Sequence, residues 1–132
     1  QMKTAWIIAL SVFLPFVAFA AEKESFQMLS IDQVADLLGK PNVFVFDANS
    51  KKVFAARHIP GAVHVDFHRY PQNILPEDKT ATLIFYCRNS QCTASHEAAK
   101  RAAKFGYKNL FVMPDGIEGW KSAKKPIAVE NE

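Results

Sequence analysis

The chain has 132 residues, 49% of them hydrophobic, which is enough for one ordinary domain with a core that needs no metal or disulfide staples. Its 16 basic residues are scattered among 13 acidic ones, and a net charge of +3 without a basic block argues against a nucleic-acid partner. The small positive excess mildly favours anionic small molecules and says nothing about chemistry.

The chain opens with "MKTAWIIALSVFLPFVAFAAEKE": one basic residue, Lys3, then an apolar run from Ala5 to Ala21 ending in Ala18-Phe19-Ala20. This order predicts a signal peptide over residues 1–20, cleaved after Ala20, and an exported protein, in a bacterium a periplasmic one. The alternative is an uncleaved anchor, but the run is broken by Ser11 and Pro15 and falls short of the roughly 20 apolar residues of a bilayer span. With the leader removed, no stable membrane span is expected. Residues 21–29 read as a linker.

Ser30-Ile31-Asp32-Gln33 has the form of a capping box, and Ile31, Val34, Ala35, Leu37 and Leu38 recur at helical spacing before Gly39, predicting a short first helix. "NVFVFDAN", from Asn42, is a continuous β-branched and aromatic run ending at Asp47, as in a strand buried on both faces. "SKKVFAARH" suits a short helix, Pro60-Gly61 a turn, and Ala62 to Val65 a short strand. "TLIFY", Thr82 to Tyr86, is a second buried strand, and "ASHEAAKRAAKFGY" the clearest helix, with an alanine-rich apolar side and a stop at Gly106. "NLFVM" then reads as a strand, "PDG" as a turn and "IEGWKSA" as a last helix; the polar residues 128–132 read as a loose tail. Strands alternating with helices predict an α/β domain over residues 30–127, with a mainly parallel central sheet flanked by helices.

Both cysteines lie in "YCRNSQCTASH", Tyr86 to His96, five positions apart. Export makes a disulfide the default, yet a bridge over so short a loop would restrain the unfolded chain little. Cys87 sits where a buried parallel strand ends, the place at which ligands of such sheets gather. Loop N–H groups, the positive end of the helix starting near Ala94, and the Arg88 cation all favour a thiolate there. The alternative is an inert cysteine that packs as a small hydrophobe.

From Ser30 to Ile127 the chain resembles the rhodanese-like sulfurtransferases, on four features in the right order. Asp47 closes an early strand in "VFVFDA"; "RHIPGA", Arg57 to Ala62, stands against the family's GHIPGA. Cys87 follows "LIFY", and "DGIEGW", Asp115 to Trp120, stands against GG-x-x-x-W. The resemblance implies that Cys87 takes a sulfane sulfur from thiosulfate or polysulfide, forms a persulfide, and passes the atom to a thiophilic acceptor. That acceptor would be a thiol, a cyanide-like nucleophile or a protein thiol. Loop residues Arg88, Asn89, Ser90, Gln91, Cys92 and Thr93 would bind the anion and cradle the sulfur by backbone N–H groups, with Arg88 as cation.

The departures from the family carry information. Thiosulfate users commonly have a basic residue at the far end of the loop, where Cys92 stands here, which weakens the case for thiosulfate. Thr93 occupies the place where related phosphatases need an arginine, which argues against phosphatase activity. Cys92 could act as a resolving cysteine, a second persulfide site, or a small packing residue. His96, in the first turn after the loop, is a candidate proton or anion partner, and Asp47, Arg57 and His58 are candidate supporting residues, with Asp47 orienting the loop or the Arg57-His58 segment or else capping its own turn. Neither cofactor nor metal is expected, because His64, four before His68, falls in a strand. The alternatives to sulfur transfer are a thiol-disulfide redox protein using Cys87 and Cys92, and a non-catalytic sulfur carrier.

Overall fold

A computed structural model describes residues 2–18 and 24–130. Residues 2–18 form no helix or strand and their large apolar side chains are exposed; no helix among the described residues is long and apolar enough to cross a membrane. The predicted cleavage point at Ala20 lies outside the described residues.

The strands are β1 (Gln27–Met28), β2 (Val43–Asp47), β3 (Val63–His64), β4 (Thr82–Tyr86) and β5 (Asn109–Val112), and the helices α1 (Ile31–Leu37), α2 (Lys51–Ala56), α3 (Ala94–Lys104) and α4 (Gly116–Ser122). All strand pairs are parallel, in the order β1-β5-β4-β2-β3. The apolar runs of β2 and β4 are continuous because side chains alternate between two buried faces. Phe46, Leu83 and Phe85 share one core with Ala98, Ala99 and Ala102 of α3, whose small side chains let the helix approach the sheet. Val45, Ile84 and Tyr86 share the other core with Val34 of α1, Phe54 of α2 and Ile117 and Trp120 of α4.

The predicted capping box is present: Ser30 Oγ accepts from Gln33 N–H at 3.2 Å and Gln33 Oε1 from Ser30 N–H at 2.8 Å. Three segments depart from expectation. The stretch taken as a linker contributes β1 at the sheet edge and the buried Phe26, a strand of two residues being too short for any alternation to show. Between β3 and β4 a 3₁₀ turn (Gln72–Ile74) appears, anchored to α3 where the Tyr70 hydroxyl donates to Ala98 C=O at 2.5 Å and Arg101 Nε to Tyr70 C=O at 2.7 Å. The tail is not loose along its described part, since Ala128 and His58 exchange backbone hydrogen bonds and Glu130 N–H donates to Ala55 C=O.

Between β4 and β2 the strand order reverses direction, and in open parallel sheets a crevice for ligands forms at such a point, outside the carboxyl ends of the strands. Asp47 and Tyr86, paired in register, end these two strands, and Cys87 is the next residue.

Candidate active site

Cys87 is buried and its Sγ is bonded to Cys92 Sγ. The Cα atoms are 6.3 Å apart, within the range a disulfide spans, so the loop's own backbone course brings the sulfurs together. Cys92 is the more open of the two. It lines a cleft of about 450 Å³ with Asn49, Phe67, Arg88, Gln91 and Ala94, whereas Cys87 lies beneath.

On its inner side Cys87 Sγ lies 3.4 Å from the hydroxyl of Ser95, which is itself buried on the first turn of α3. A bridged sulfur carries no hydrogen, so the hydroxyl is the donor, and it would donate equally to a thiolate. Sequence reasoning missed Ser95. Its signal was a small hydroxyl among the alanines of the helix's core-facing side.

The loop is shaped by α4. Ile117 N–H donates to Cys87 C=O at 2.9 Å and Glu118 N–H to Arg88 C=O at 3.0 Å. In a trans peptide the N–H points opposite to the C=O, so the pinned carbonyls turn the amides of Arg88 and Asn89 away from α4. The amides of Arg88, Asn89 and Ser90 have no protein acceptor among the described residues, the pattern of an anion nest. Two further amides of the expected cradle are engaged within the loop: Gln91 N–H donates to Asn89 Oδ1 at 3.1 Å and Cys92 N–H to Asn89 C=O at 3.0 Å. Thr93 is exposed; its carbonyl accepts from Glu97 N–H at the start of α3, and its side chain makes no cap.

Arg88 is paired with α4. Its Nε donates to Glu118 Oε1 at 2.7 Å, and Asn89 Nδ2 donates to the other oxygen at 3.1 Å. The Arg88 hydrogen bond, then that of Asn89, hold the Glu118 carboxyl below its ordinary 4.5, with Arg57 adding its charge. Arg57, the residue that caps α2 at its C-terminal end, thus contributes to the field at Glu118. Glu118 lies inside "DGIEGW" and went unremarked in the sequence because a charged residue on a short helix normally faces solvent.

The remaining candidates make contacts of their own. The His96 ring meets the Phe26 ring edge-on at 5.2 Å. His58 is buried, stacks on Phe54 at 4.0 Å, and has its Nδ1 at 2.7 Å from Phe54 C=O. Asp47 is wholly buried and caps its own turn, Oδ1 accepting from Asn49 N–H at 2.7 Å. The "RHIPGA" segment is held by Tyr86, whose hydroxyl accepts from Ile59 N–H at 3.0 Å. Among the described residues no cluster of His, Cys, Asp or Glu is suited to a metal.

Burial pushes the Asp47 carboxyl above its ordinary 3.8, opposed by the neighbouring Tyr86 hydroxyl and by Asn49. That hydroxyl is bonded to Ile59, and Asp47 Oδ2 and Asn49 Nδ2 find no hydrogen-bonding partner among the described residues. Just above pH 3.8 the folded chain still holds a proton that the unfolded chain has released, so this group's contribution to stability falls as pH rises through its folded pKa. Urea unfolding of wild type and Asp47→Asn across pH 4 to 7 is expected to show the wild type losing stability relative to the variant as pH rises. A constant difference would mean that Asp47 titrates alike in both states.

The model of the Rhodanese-like domain family matches residues 30–123. A thiosulfate sulfurtransferase GlpE of Tolumonas auensis is 29% identical over 96 residues, covering 73% of this chain and 89% of that protein. A dual specificity phosphatase Cdc25 of Arabidopsis thaliana is 25% identical over 122 residues, covering 81% of each chain. The crystal structure of a rhodanese-related protein from Thermoplasma volcanium superposes with a TM-score of 0.66 at 16% identity, over 80% of this chain and all (100%) of that one.

Proposed function

The chain belongs to the rhodanese-like domain family, and on that premise we propose that it is an exported sulfurtransferase with Cys87 as nucleophile. The observation that carries this reading is the setting of Cys87: at the end of β4, in contact with the Ser95 hydroxyl, in a loop whose first two carbonyls are bound by α4. Once the bridge to Cys92 is reduced, the Cys87 thiolate attacks the outer sulfur of thiosulfate or a sulfur of a polysulfide. One S–S bond forms and another breaks; sulfite or a shortened polysulfide leaves with the electron pair. The sulfane sulfur then sits on Cys87 as a persulfide anion, for which the unpaired amides of Arg88, Asn89 and Ser90 are the donors. A thiol or cyanide-like acceptor removes it and regenerates the thiolate.

The engagement of Arg88 by Glu118 leaves the loop short of free positive charge, which favours polysulfide, or another sulfane carrier of lower charge density, over thiosulfate. Phosphatase activity is disfavoured by Thr93, which offers a phosphate no guanidinium. Export is inferred from residues 1–20, with delivery to a periplasm and removal of the leader as part of the same reading.

Intact mass of the reduced, leader-free protein after brief anaerobic exposure to each donor tests the proposal. Cys92→Ser is expected to gain one sulfur mass and the double variant Cys87→Ser/Cys92→Ser none. Sulfur gained without Cys87 would move the nucleophile elsewhere. The bridge between Cys87 and Cys92 favours a second reading, thiol-disulfide exchange without sulfur uptake; Cys92→Ser failing to gain sulfur from either donor would select it.

A further inference from the structure

Three observations concern the relation of the two sulfurs rather than either alone. Cys92 Sγ is bonded to Cys87 Sγ itself, so a thiolate at Cys92 reaches the sulfur of the nucleophile and not merely an atom attached to it. Cys92 lines the cleft, while Cys87 is covered. The covered sulfur has a buried hydroxyl donor at 3.4 Å.

We propose that the loop carries a further activity, the reduction of sulfane sulfur to hydrogen sulfide, with Cys92 as the resolving group. This rests on the Cys87 persulfide of the proposed function. In the first step the Cys92 thiolate attacks Cys87 Sγ. The Cys87–Cys92 bond forms, the bond from Cys87 Sγ to the sulfane sulfur breaks, and that sulfur leaves with the electron pair. Overall, one persulfide and one thiol give one disulfide and one hydrogen sulfide. The sulfane sulfur gains two electrons and leaves with both protons, and the two cysteine sulfurs lose the two electrons. The bridged loop is the product of this step.

The second step resets the loop and consumes a dithiol reductant. The exposure of the two sulfurs sets its direction. The first thiolate of the dithiol enters by the cleft and attacks Cys92 Sγ, and Cys87 leaves as a thiolate onto the Ser95 hydroxyl. The mixed disulfide at Cys92 is then displaced by the second thiol of the reductant, which departs as a disulfide. In this cycle the acceptor of the sulfane sulfur is the protein's own dithiol, and no small thiophile has to enter past Cys92.

The test uses the reduced, leader-free protein, stripped of reductant and kept anaerobic, mixed with thiosulfate or with inorganic polysulfide. Intact mass is read for both donors, and released sulfide for thiosulfate, which yields none by itself. Wild type is expected to end two hydrogens lighter, with one sulfide released per chain, while Cys92→Ser and Cys92→Ala end one sulfur heavier and release none. With thiosulfate and about 1 mM dithiothreitol turning over, either replacement is expected to lower sulfide production on the order of tenfold or more, because an intramolecular thiol is replaced by a dilute one. Wild type that retains the added sulfur as the Cys92 variants do would overturn the resolving role and leave the Cys87 transfer reading standing. Wild type that becomes lighter without releasing sulfide would overturn it too, marking plain oxidation. Cys92 variants that take up sulfur from neither donor would remove the Cys87 persulfide, and this inference with it.

Discussion

Gly116→Ala is expected to destabilise the protein by about 2–5 kcal/mol and to reduce sulfur uptake at Cys87 even in the molecules that remain folded. Gly116 opens α4 at a φ of +65°, a conformation an alanine adopts at a cost of about 1–2 kcal/mol. A Cβ there would also stand 2.5 Å from both C and O of Arg88 and 2.7 Å from Asn89 N. These are backbone atoms of the loop that follows Cys87, so relief requires the loop and α4 to move apart. That movement would stretch the bonds from Ile117 and Glu118 that turn the Arg88 and Asn89 amides outward. Gly39→Ala separates the two costs: φ is +78° and nothing lies within 4 Å of the added Cβ, so only the conformational penalty applies and sulfur uptake is unchanged. Denaturant unfolding and sulfur loading, measured on both variants, check this. Equal mild losses in the two would mean that α4 does not clasp the loop.

The contrast between these glycines shows what was legible in the sequence and what was not. The parallel α/β core was legible because β2, β4 and α3 carry signals far above the noise: uninterrupted β-branched and aromatic runs, and a regular alanine side. Cys87 was legible because a strand end followed by a polar loop and a helix start is a local pattern. The departure of "DGIEGW" from two successive glycines could be seen, but not that Gly116 was the one pressed against the loop, since its neighbours come from the loop after β4 and not from its own segment. The pairing of Arg88 was hidden for the same reason: its charge was evident, and its partner thirty residues away was not. Ser95 and Glu118 reach the loop through tertiary contact alone, and each has an ordinary local sequence.

The buried polar group at the crevice extends this picture. Asp47 offered two roles on sequence, and the local one is present, capping the turn after β2. The longer-range tie falls to Tyr86, which ends β4 immediately before Cys87 and accepts the Ile59 amide. The residue whose hydroxyl holds the "RHIPGA" segment is therefore the covalent neighbour of Cys87, and the two motifs are coupled through one phenol.

Trp120→Ala is expected to remove about 3–5 kcal/mol, a large part of the roughly 5–15 kcal/mol that holds a domain of this size together. Trp120 is wholly buried and fills the core that α1, α2 and α4 make against Val45, Ile84 and Tyr86. Its Nε1–H also donates to Pro126 C=O at 2.7 Å, fastening the segment that runs on to the Ala128–His58 pairing. Truncation leaves a cavity under α4 and releases that segment at once. Because α4 supplies the amides that bind the Cys87 and Arg88 carbonyls, sulfur uptake should fall along with stability, and hydrogen exchange of the Ile117 and Glu118 amides should quicken first. Trp120→Phe keeps most of the volume and gives up chiefly the hydrogen bond, for about 1–2 kcal/mol, with sulfur uptake near that of the wild type. Should Trp120→Phe abolish uptake while remaining folded, the indole N–H rather than the packing of α4 would govern the loop.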